Sequence, residues 1–177
     1  MPTAYDTVDG ASLSHDQRAM LGKLIVSSFP KARLNYGVAT CREWQRRAWR
    51  TIPAEFHVAA RTTDGRVVGQ QSVYKLAVPS GRLVFGLGDL VVAATHRRRG
   101  IGRTLIAAAV AEAQRRGADA LCTRTGKLSG TFARLEFELD EDGRWFTDEA
   151  GAPIEVLWVW LANRTSPNAE PLLPSDF

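Results

Sequence analysis

The fold of this chain is set by the segment Asp89-Leu-Val-Val-Ala-Ala-Thr-His-Arg-Arg-Arg-Gly-Ile-Gly-Arg-Thr104. It joins a hydrophobic run to a basic loop, and apolar residues at helical spacing follow at once. Glycine lets a backbone approach an anion closely, and the first N–H groups of a helix have no partner within it. The helix dipole also favours negative charge there. Residues 85–117 therefore predict a strand, a phosphate-binding loop and a helix.

Two familiar phosphate-binding motifs are excluded by the same segment. A dinucleotide-binding fold requires G-x-G-x-x-G, but Leu105 stands at the last glycine position, and no series of parallel βαβ units follows. A P-loop requires a Gly-Lys-Ser/Thr ending, which the segment lacks. Two interpretations remain: a loop for another kind of phosphate ligand, and a glycine-containing structural turn.

Two helices are predicted before this segment. Ser14 is a suitable N-cap for the first, which ends at Pro30, and the second covers Cys41–Trp49. The first helix is expected to bury one apolar face, made of Met20, Leu21, Leu24, Ile25 and Phe29.

The middle of the chain is predicted to be an antiparallel meander. Strands are expected at Glu55–Arg61, Arg66–Val78 and Arg82–Val92. The first two are joined by Thr63-Asp64-Gly65, a strong hairpin signal.

After the motif helix, which is expected to end at Gly117, the pattern predicts a second group of elements. Ala118–Thr123 should form a strand parallel to Arg82–Val92, because a right-handed crossover joins them. A short helix, a terminal hairpin and an irregular tail should follow, at Leu128–Leu135, at Arg144–Thr147 with Ile154–Ala162, and at residues 164–177. The chain is thus predicted to be one α+β domain, residues 1–177, with its core at about residues 10–163.

Composition narrows the functional classes. With 45% hydrophobic and 24% charged residues, the 177-residue chain is typical of a soluble globular protein. Two cysteines do not make a disulfide framework or a metal site, and Cys122 is expected in the core. With no membrane span and no secretory signal, we expect a cytoplasmic protein. The net charge of +4 comes with local arginine clusters and no basic tail, so nucleic-acid binding is not expected.

The motif resembles the signature of the GNAT superfamily of acetyl-CoA-dependent N-acetyltransferases. That signature, Gln/Arg-x-x-Gly-x-Gly/Ala after a hydrophobic strand, is matched by Arg97-Arg98-Arg99-Gly100-Ile101-Gly102. The order of elements is similar too, and the layout loosely resembles the aminoglycoside 2′-N-acetyltransferases. The resemblance implies a mixed, mostly antiparallel central sheet with a β-loop-α acyl-CoA site and flanking helices.

Acetyl-CoA is the co-substrate that the resemblance implies, with no metal. Main-chain groups of the motif strand would pair with the pantetheine arm, and backbone amides of residues 98–103 would hold the pyrophosphate together with the Thr104 hydroxyl. The implied binding residues are Leu90, Val91, Val92, Arg97, Arg98, Arg99, Gly100, Ile101, Gly102, Arg103 and Thr104.

The chain departs from the family at the acid that protonates the leaving thiolate. Many relatives use a tyrosine where this chain has Phe132, which cannot donate a proton. In one interpretation the thiolate is protonated by water or by another hydroxyl, for which Ser129 and Thr131 are the nearest candidates in the sequence. In the other, activity is lost and only binding remains.

Asp89 is the candidate general base, because it stands one residue before the pantetheine-facing segment. The alternative is a carboxylate that caps a loop or pairs with an arginine. His57 is a further catalytic candidate, against the alternative of a packed strand histidine.

The acceptor is expected to be a primary amine of a small metabolite or of an antibiotic such as an aminoglycoside. Candidate substrate-binding residues are Tyr36 and Trp44, on the side of the N-terminal helices, and Trp145, in the terminal hairpin. The alternatives are a non-catalytic CoA-binding module and a protein N-acetyltransferase. Exposed strands in the terminal hairpin would also permit a homodimer.

Overall fold

The computed structural model describes residues 4–12, 14–28, 54–76, 82–125, 129–139 and 155–161. The predicted helix Cys41–Trp49, the strand Arg144–Thr147 and the tail lie outside these ranges. Strands and helices follow the order β1 (Ala4–Asp9), α1 (His15–Ser28), β2 (Phe56–Arg61), β3 (Val67–Leu76), β4 (Val84–Val92), α2 (Ile101–Arg115), β5 (Ala120–Thr125), α3 (Ser129–Ala133), β6 (Glu138–Leu139) and β7 (Glu155–Trp160).

The strands of the described part occur in the sheet order β1-β2-β3-β4-β5-β7-β6. The chain forms two compact units, Met1–Tyr74 with Asp89–Ala109 and Lys75–Gly88 with Val110–Phe177. The mixed, mostly antiparallel sheet confirms the predicted fold class, whereas the single-domain assignment stays a prediction. None of the helices in the described part has the length and apolar character that a membrane-spanning helix requires.

In the first unit, β2 pairs antiparallel with β3 through the predicted hairpin. The Thr62 N–H donates to the Arg66 carbonyl at 3.0 Å, and the Gly65 N–H donates to the Thr62 carbonyl at 2.9 Å. Gly65 has a φ of 80°, a left-handed conformation that glycine adopts without steric cost. The turn chemistry therefore fixes the register of this hairpin, in which His57 lies opposite Ser72.

Strand β1 was missed by the sequence analysis. It pairs antiparallel with β2, from Ala4 opposite Arg61 to Asp9 opposite Phe56, and it begins before the predicted core boundary. Its side chains are exposed or half-buried, so the sequence shows no alternation of buried and polar positions. Backbone pairing with β2, and not a hydrophobic pattern, makes this segment a strand.

Helix α1 begins at the predicted cap. The Gln17 N–H donates to Ser14 Oγ at 3.2 Å, and the Ser14 N–H donates to Gln17 Oε1 at 2.8 Å, which is a capping box. The predicted apolar face is buried at Leu21, Leu24 and Ile25. The assignment of Met20 to that face was wrong, since this side chain is 37% exposed. At 100° per residue it lies about 90° from the centre of the buried stripe.

In the second unit, β4 and β5 form the predicted parallel pair. The register runs from Val84 opposite Ala120 to Leu87 opposite Thr123. Strand β5 then pairs antiparallel with β7, which also pairs with β6. Cys122 is fully buried, as predicted for a core residue.

Two helix ends in the second unit follow from local backbone conformation. Helix α2 ends before Gly117, which has a φ of 78°, and the Gly117 N–H donates to the Gln114 carbonyl at 3.0 Å. Helix α3 ends at Ala133, before the predicted end at Leu135. The Leu135 N–H donates to the Phe132 carbonyl at 2.8 Å, which is the bond of a tight turn, and Glu136, the next residue, has a φ of 63°. A left-handed residue cannot continue a right-handed helix.

Candidate functional site

The carboxyl end of β4 leaves extended geometry at one residue. Asp89 has a φ of 51°, in the left-handed region, although it lies within a strand. Aspartate and asparagine tolerate this conformation better than other non-glycine residues. Such strained positions are concentrated at functional sites in proteins, so the backbone alone directs attention to this residue.

The Asp89 carboxylate accepts a hydrogen bond from a tyrosine. The Tyr74 hydroxyl donates to Oδ2 at 2.6 Å. Burial raises the pKa of Asp89, and this hydrogen bond opposes that rise because it stabilises the charged form. A buried carboxyl group with an elevated pKa is a suitable general base. Sequence reasoning missed Tyr74, which carries no local signal beyond its place in a predicted strand.

Two hydrogen bonds fix the chain between the end of β4 and the basic loop. The Ala93 N–H donates to the Val68 carbonyl at 2.8 Å, and Arg97 Nε donates to the Val92 carbonyl at 3.0 Å. The Arg97 side chain therefore fixes the start of the loop to the end of β4. Of the three residues predicted to face pantetheine, Val91 is buried, and it packs against Leu24 and Ile25 of α1.

The loop itself has left-handed residues at alternate positions. Arg98 has a φ of 61° and Gly100 a φ of 79°. Changes of handedness along a short segment turn successive N–H groups toward one side and create anion-binding concavities. The side chains of Arg98 and Arg99 are exposed, so positive charge surrounds these amides.

Helix α2 begins directly after this loop. The Gly100 carbonyl accepts the Thr104 N–H at 3.0 Å and the Thr104 hydroxyl at 3.3 Å. Helix geometry leaves the N–H groups of residues 101–103 without intrahelical partners. A Cβ added at Gly102 would meet only Val92 Cγ2, at 3.9 Å, so space is open beside the first turn. The loop and the first turn of α2 thus combine unpaired N–H groups with open space, a geometry that can accept an anion.

A second glycine, on β3, sets the position of this helix. A Cβ at Gly69 would lie 3.0 Å from Leu105 Cδ1, 3.2 Å from Ile101 Cγ2 and 3.3 Å from the Val91 carbonyl oxygen. Only glycine allows so close an approach of α2 to β3. The sequence analysis missed Gly69, although a glycine inside a strand pattern often marks close backbone approach.

His57 lies on β2, in the same unit as Asp89. It is 2% exposed, and its Nδ1 is 3.1 Å from Ser72 Oγ. Burial, and then the positive charge of Arg18, lower the pKa of His57 from 6.5 to about 4. The imidazole is therefore neutral at pH 7.

The remaining predicted site residues belong to other parts of the chain. Ser129 is the first residue of α3, in the second unit. Phe132 is 3% exposed and meets Phe137 edge-on, with ring centroids 5.1 Å apart. The predicted substrate-binding residues, Tyr36, Trp44 and Trp145, lie outside the described residues. Among the described residues, no three His, Cys, Asp or Glu side chains are grouped so as to hold a metal ion.

The family described as acetyltransferase (GNAT) family matches this chain over residues 19–137. No curated protein matches the chain significantly.

Several solved structures share the fold. A GNAT family N-acetyltransferase from Escherichia coli in complex with CoA superposes with a TM-score of 0.66 at 17% identity, over 92% of this chain and 83% of that one. Aminoglycoside 6'-acetyltransferase type Ii gives 0.67 at 18% identity, over 92% and 100%. The NatC complex bound to Gag peptide and CoA gives 0.62 at 19% identity, over 92% and 100%.

Proposed function

We propose, because the chain belongs to the acetyltransferase (GNAT) family, that it transfers an acetyl group from acetyl-CoA to a primary amine of a small molecule in the cytoplasm. The loop that leads into α2 carries this proposal. It combines left-handed residues at Arg98 and Gly100, a helix N-terminus and open space beside Gly102. Backbone amides of residues 98–103 would hold the pyrophosphate of acetyl-CoA, with exposed arginines around it.

Acetyl-CoA, when bound, would supply an activated acyl group; the chain must supply the proton chemistry. An amine attacks only in its neutral form, so a base has to remove the ammonium proton. Asp89 is our candidate, because its half-buried carboxylate lies one residue before the segment proposed to face the cofactor and its pKa is raised. Phe132 offers no hydroxyl for the leaving thiolate, so we assign that proton to Ser129 or to water.

The proposed acceptor is a small metabolite or an aminoglycoside. One structural relative is an aminoglycoside acetyltransferase, whereas another was solved with a peptide and CoA. A thiol-release screen against aminoglycosides, amino acids, polyamines and peptides separates these classes. Labelled acetyl-CoA added to cell extract would instead mark a macromolecule if the acceptor were a protein. Acetyl-CoA binding without thiol release from any amine would favour a CoA-binding module.

The cofactor site is tested at Gly102. We expect Gly102→Trp to abolish acetyl-CoA binding, because the indole fills the space that the phosphates need. Gly102→Ala is the matched control, since its Cβ makes only an ordinary contact with Val92. Isothermal titration calorimetry of both variants gives the answer, and wild-type affinity in Gly102→Trp would refute the site.

The base is tested by Asp89→Asn. Asparagine keeps the shape of the side chain and tolerates the left-handed backbone, so the fold should survive. We expect kcat/KM to fall about 10²- to 10⁴-fold, the usual contribution of a general base, with acetyl-CoA affinity unchanged. The same change at exposed Asp64, in the hairpin turn, should have no effect on kcat/KM. Full activity of Asp89→Asn would exclude Asp89 as the base.

A further inference from the structure

One hydrogen bond joins β3 to the residue at which β4 leaves extended geometry. The Tyr74 hydroxyl donates to Asp89 Oδ2, and the two oxygens are 2.6 Å apart. This distance lies in the range of hydrogen bonds from a hydroxyl to an ionised carboxylate, which are stronger than those between neutral groups. Both residues belong to the first unit and lie on neighbouring strands of the sheet. The contact is therefore a charge-assisted bond between two strands.

This bond distinguishes the two oxygens of the Asp89 carboxylate. A tyrosine hydroxyl has a single proton, and Tyr74 gives it to Oδ2. We therefore assign the proton that leaves the ammonium group to Oδ1. Both side chains are half-buried, so the carboxylate is partly withdrawn from water without being enclosed.

The backbone and the hydrogen bond act on the same carboxylate. Asp89 has a φ of 51° within β4, and such strained conformations persist only where surrounding contacts over-determine them. Because the aspartate side chain is short, its backbone and a single χ1 rotamer decide where the carboxylate lies. The Tyr74 hydroxyl favours the rotamer that brings Oδ2 within its reach. Backbone and tyrosine together thus fix the direction in which Oδ1 points.

We propose that Tyr74 is a positioning residue of the acetyl-transfer reaction, whose hydroxyl holds Asp89 Oδ2 so that Oδ1 is aimed at the ammonium proton. The proposal rests on the proposed function, in which Asp89 receives that proton. Tyr74 does not supply the acid that Phe132 lacks, because burial and then the negative charge of Asp89 raise the pKa of its hydroxyl. It keeps its proton and acts through the carboxylate.

The charged and titratable groups around the pair lie on β2, β3 and α1. On β3, Tyr74 touches the carboxylate, and its hydrogen bond lowers the pKa of Asp89 while burial raises it. On β2, His57 lies opposite Ser72 and is neutral at pH 7, since its pKa is about 4. On α1, Arg18 is the cation that acts on His57. In the described part of the chain, Tyr74 is thus the contact that opposes the effect of burial on Asp89.

Removal of the hydroxyl predicts a pH effect of known sign. Without the Tyr74 hydrogen bond the pKa of Asp89 must rise further. In Tyr74→Phe we expect the acidic limb of the kcat/KM profile to move up by about one to two pH units, the size expected for a hydrogen bond to a charged group. KM for acetyl-CoA should not change, because Tyr74 acts on the base and not on the cofactor.

A double-mutant cycle tests whether Tyr74 acts through Asp89. In the Asp89→Asn background, Tyr74→Phe should cause no further loss of kcat/KM, because the carboxylate that it positions is already absent. Residues that act independently have effects on kcat/KM that multiply. Multiplied effects of the two substitutions would overturn the proposal.

The matched control is Tyr5→Phe, which removes the same hydroxyl from an exposed position on β1. It should leave the pH profile unmoved. A purely structural role for Tyr74 would lower activity at all pH values without displacing the limb, and that outcome would also overturn the proposal.

Nuclear magnetic resonance tests the pair without turnover. In the unaltered protein, the ¹³Cζ shift of Tyr74 should change with the same midpoint as the ¹³C carboxyl shift of Asp89, because one hydrogen bond joins them. The Asp89 midpoint should lie at higher pH in Tyr74→Phe. A Tyr74 shift that ignores the titration of Asp89, or an Asp89 midpoint that does not respond to Tyr74→Phe, would refute the pairing. Absence of thiol release with every amine would instead refute the proposed function alone.

Discussion

Burial of an imidazole ties the stability of this fold to pH at one residue. His57 is 2% exposed and has a pKa of about 4, against an ordinary value of 6.5. As the pH falls through 6.5, the His57 imidazole becomes protonated in the unfolded chain. In the folded chain it becomes protonated only at about pH 4. By linkage, protons then favour the unfolded state.

We therefore expect the free energy of unfolding to fall as the pH is lowered from 6.5 to about 4. Above pH 6.5, His57 should contribute nothing to the pH dependence of this free energy. The loss from this group is roughly 3 kcal/mol, since one pKa unit corresponds to about 1.4 kcal/mol. Urea denaturation at pH 7.5 and pH 4.5 measures it. His57→Gln should remove this part of the slope, and His15→Gln, at an exposed position, should retain it. An equal slope in both variants would contradict the assignment.

At the scale of elements, the contact between β3 and α2 controls the cradle. Gly69 permits the approach of Ile101 and Leu105, which begin the helix whose first N–H groups face the loop. Packing at this point therefore decides where the turn that we propose to bind the pyrophosphate lies. Gly69 acts on the loop indirectly, through the position of α2, because it is not itself part of the loop.

Gly69→Ala should push the start of α2 away from β3. We expect a loss of about 1 to 3 kcal/mol in the free energy of unfolding, as for other overpacked sites, and weaker acetyl-CoA binding. Chemical denaturation and calorimetry measure the two effects. Gly130→Ala is the control, because a Cβ there meets nothing within 4 Å. Unchanged affinity in Gly69→Ala would show that the cradle is independent of this contact.

Local sequence signals predicted the elements that depend on local chemistry. Ser14 supplies a cap, Gly65 supplies a left-handed turn, and the loop before α2 supplies its own glycines and arginines. The parallel β4–β5 pair followed from the handedness of crossover connections. Strand β1 could not be predicted in this way, because its existence depends on a partner about 50 residues further along the chain. Tyr74 was missed for the same reason, since its role arises from a neighbouring strand.

At the scale of the whole molecule, ligand binding should increase the free energy of unfolding. The chain has 177 residues and a net charge of +4, and the proposed cradle is one of its concentrated basic regions. A ligand that binds only the folded state stabilises the chain by mass action. The gain depends on affinity, and so it reports on the contacts in the loop.

Acetyl-CoA at about 100 times its Kd should add about 2.7 kcal/mol, or roughly 5 to 10 °C in Tm for a chain of this size. Differential scanning fluorimetry measures this shift. Pantetheine, which lacks the pyrophosphate, should give a much smaller shift at the same concentration. Equal shifts from the two compounds would show that the loop contributes nothing to binding.

The left-handed backbone at Asp89 also shapes which sequences this position can accept. Folding requires only that residue 89 tolerates a positive φ. A saturation library at this position that is selected for soluble protein should therefore retain aspartate, asparagine and glycine. Catalysis requires a carboxylate in addition, so the same library selected for turnover should retain aspartate alone. Glutamate adopts a positive φ less readily than these residues, although Glu136 does so in this chain, so it should be rare in the first set. It should be absent from the second set, because its longer side chain moves the carboxylate away from the position of the aspartate carboxylate. The difference between the two selected sets would thus separate the geometric demand at this position from the chemical one.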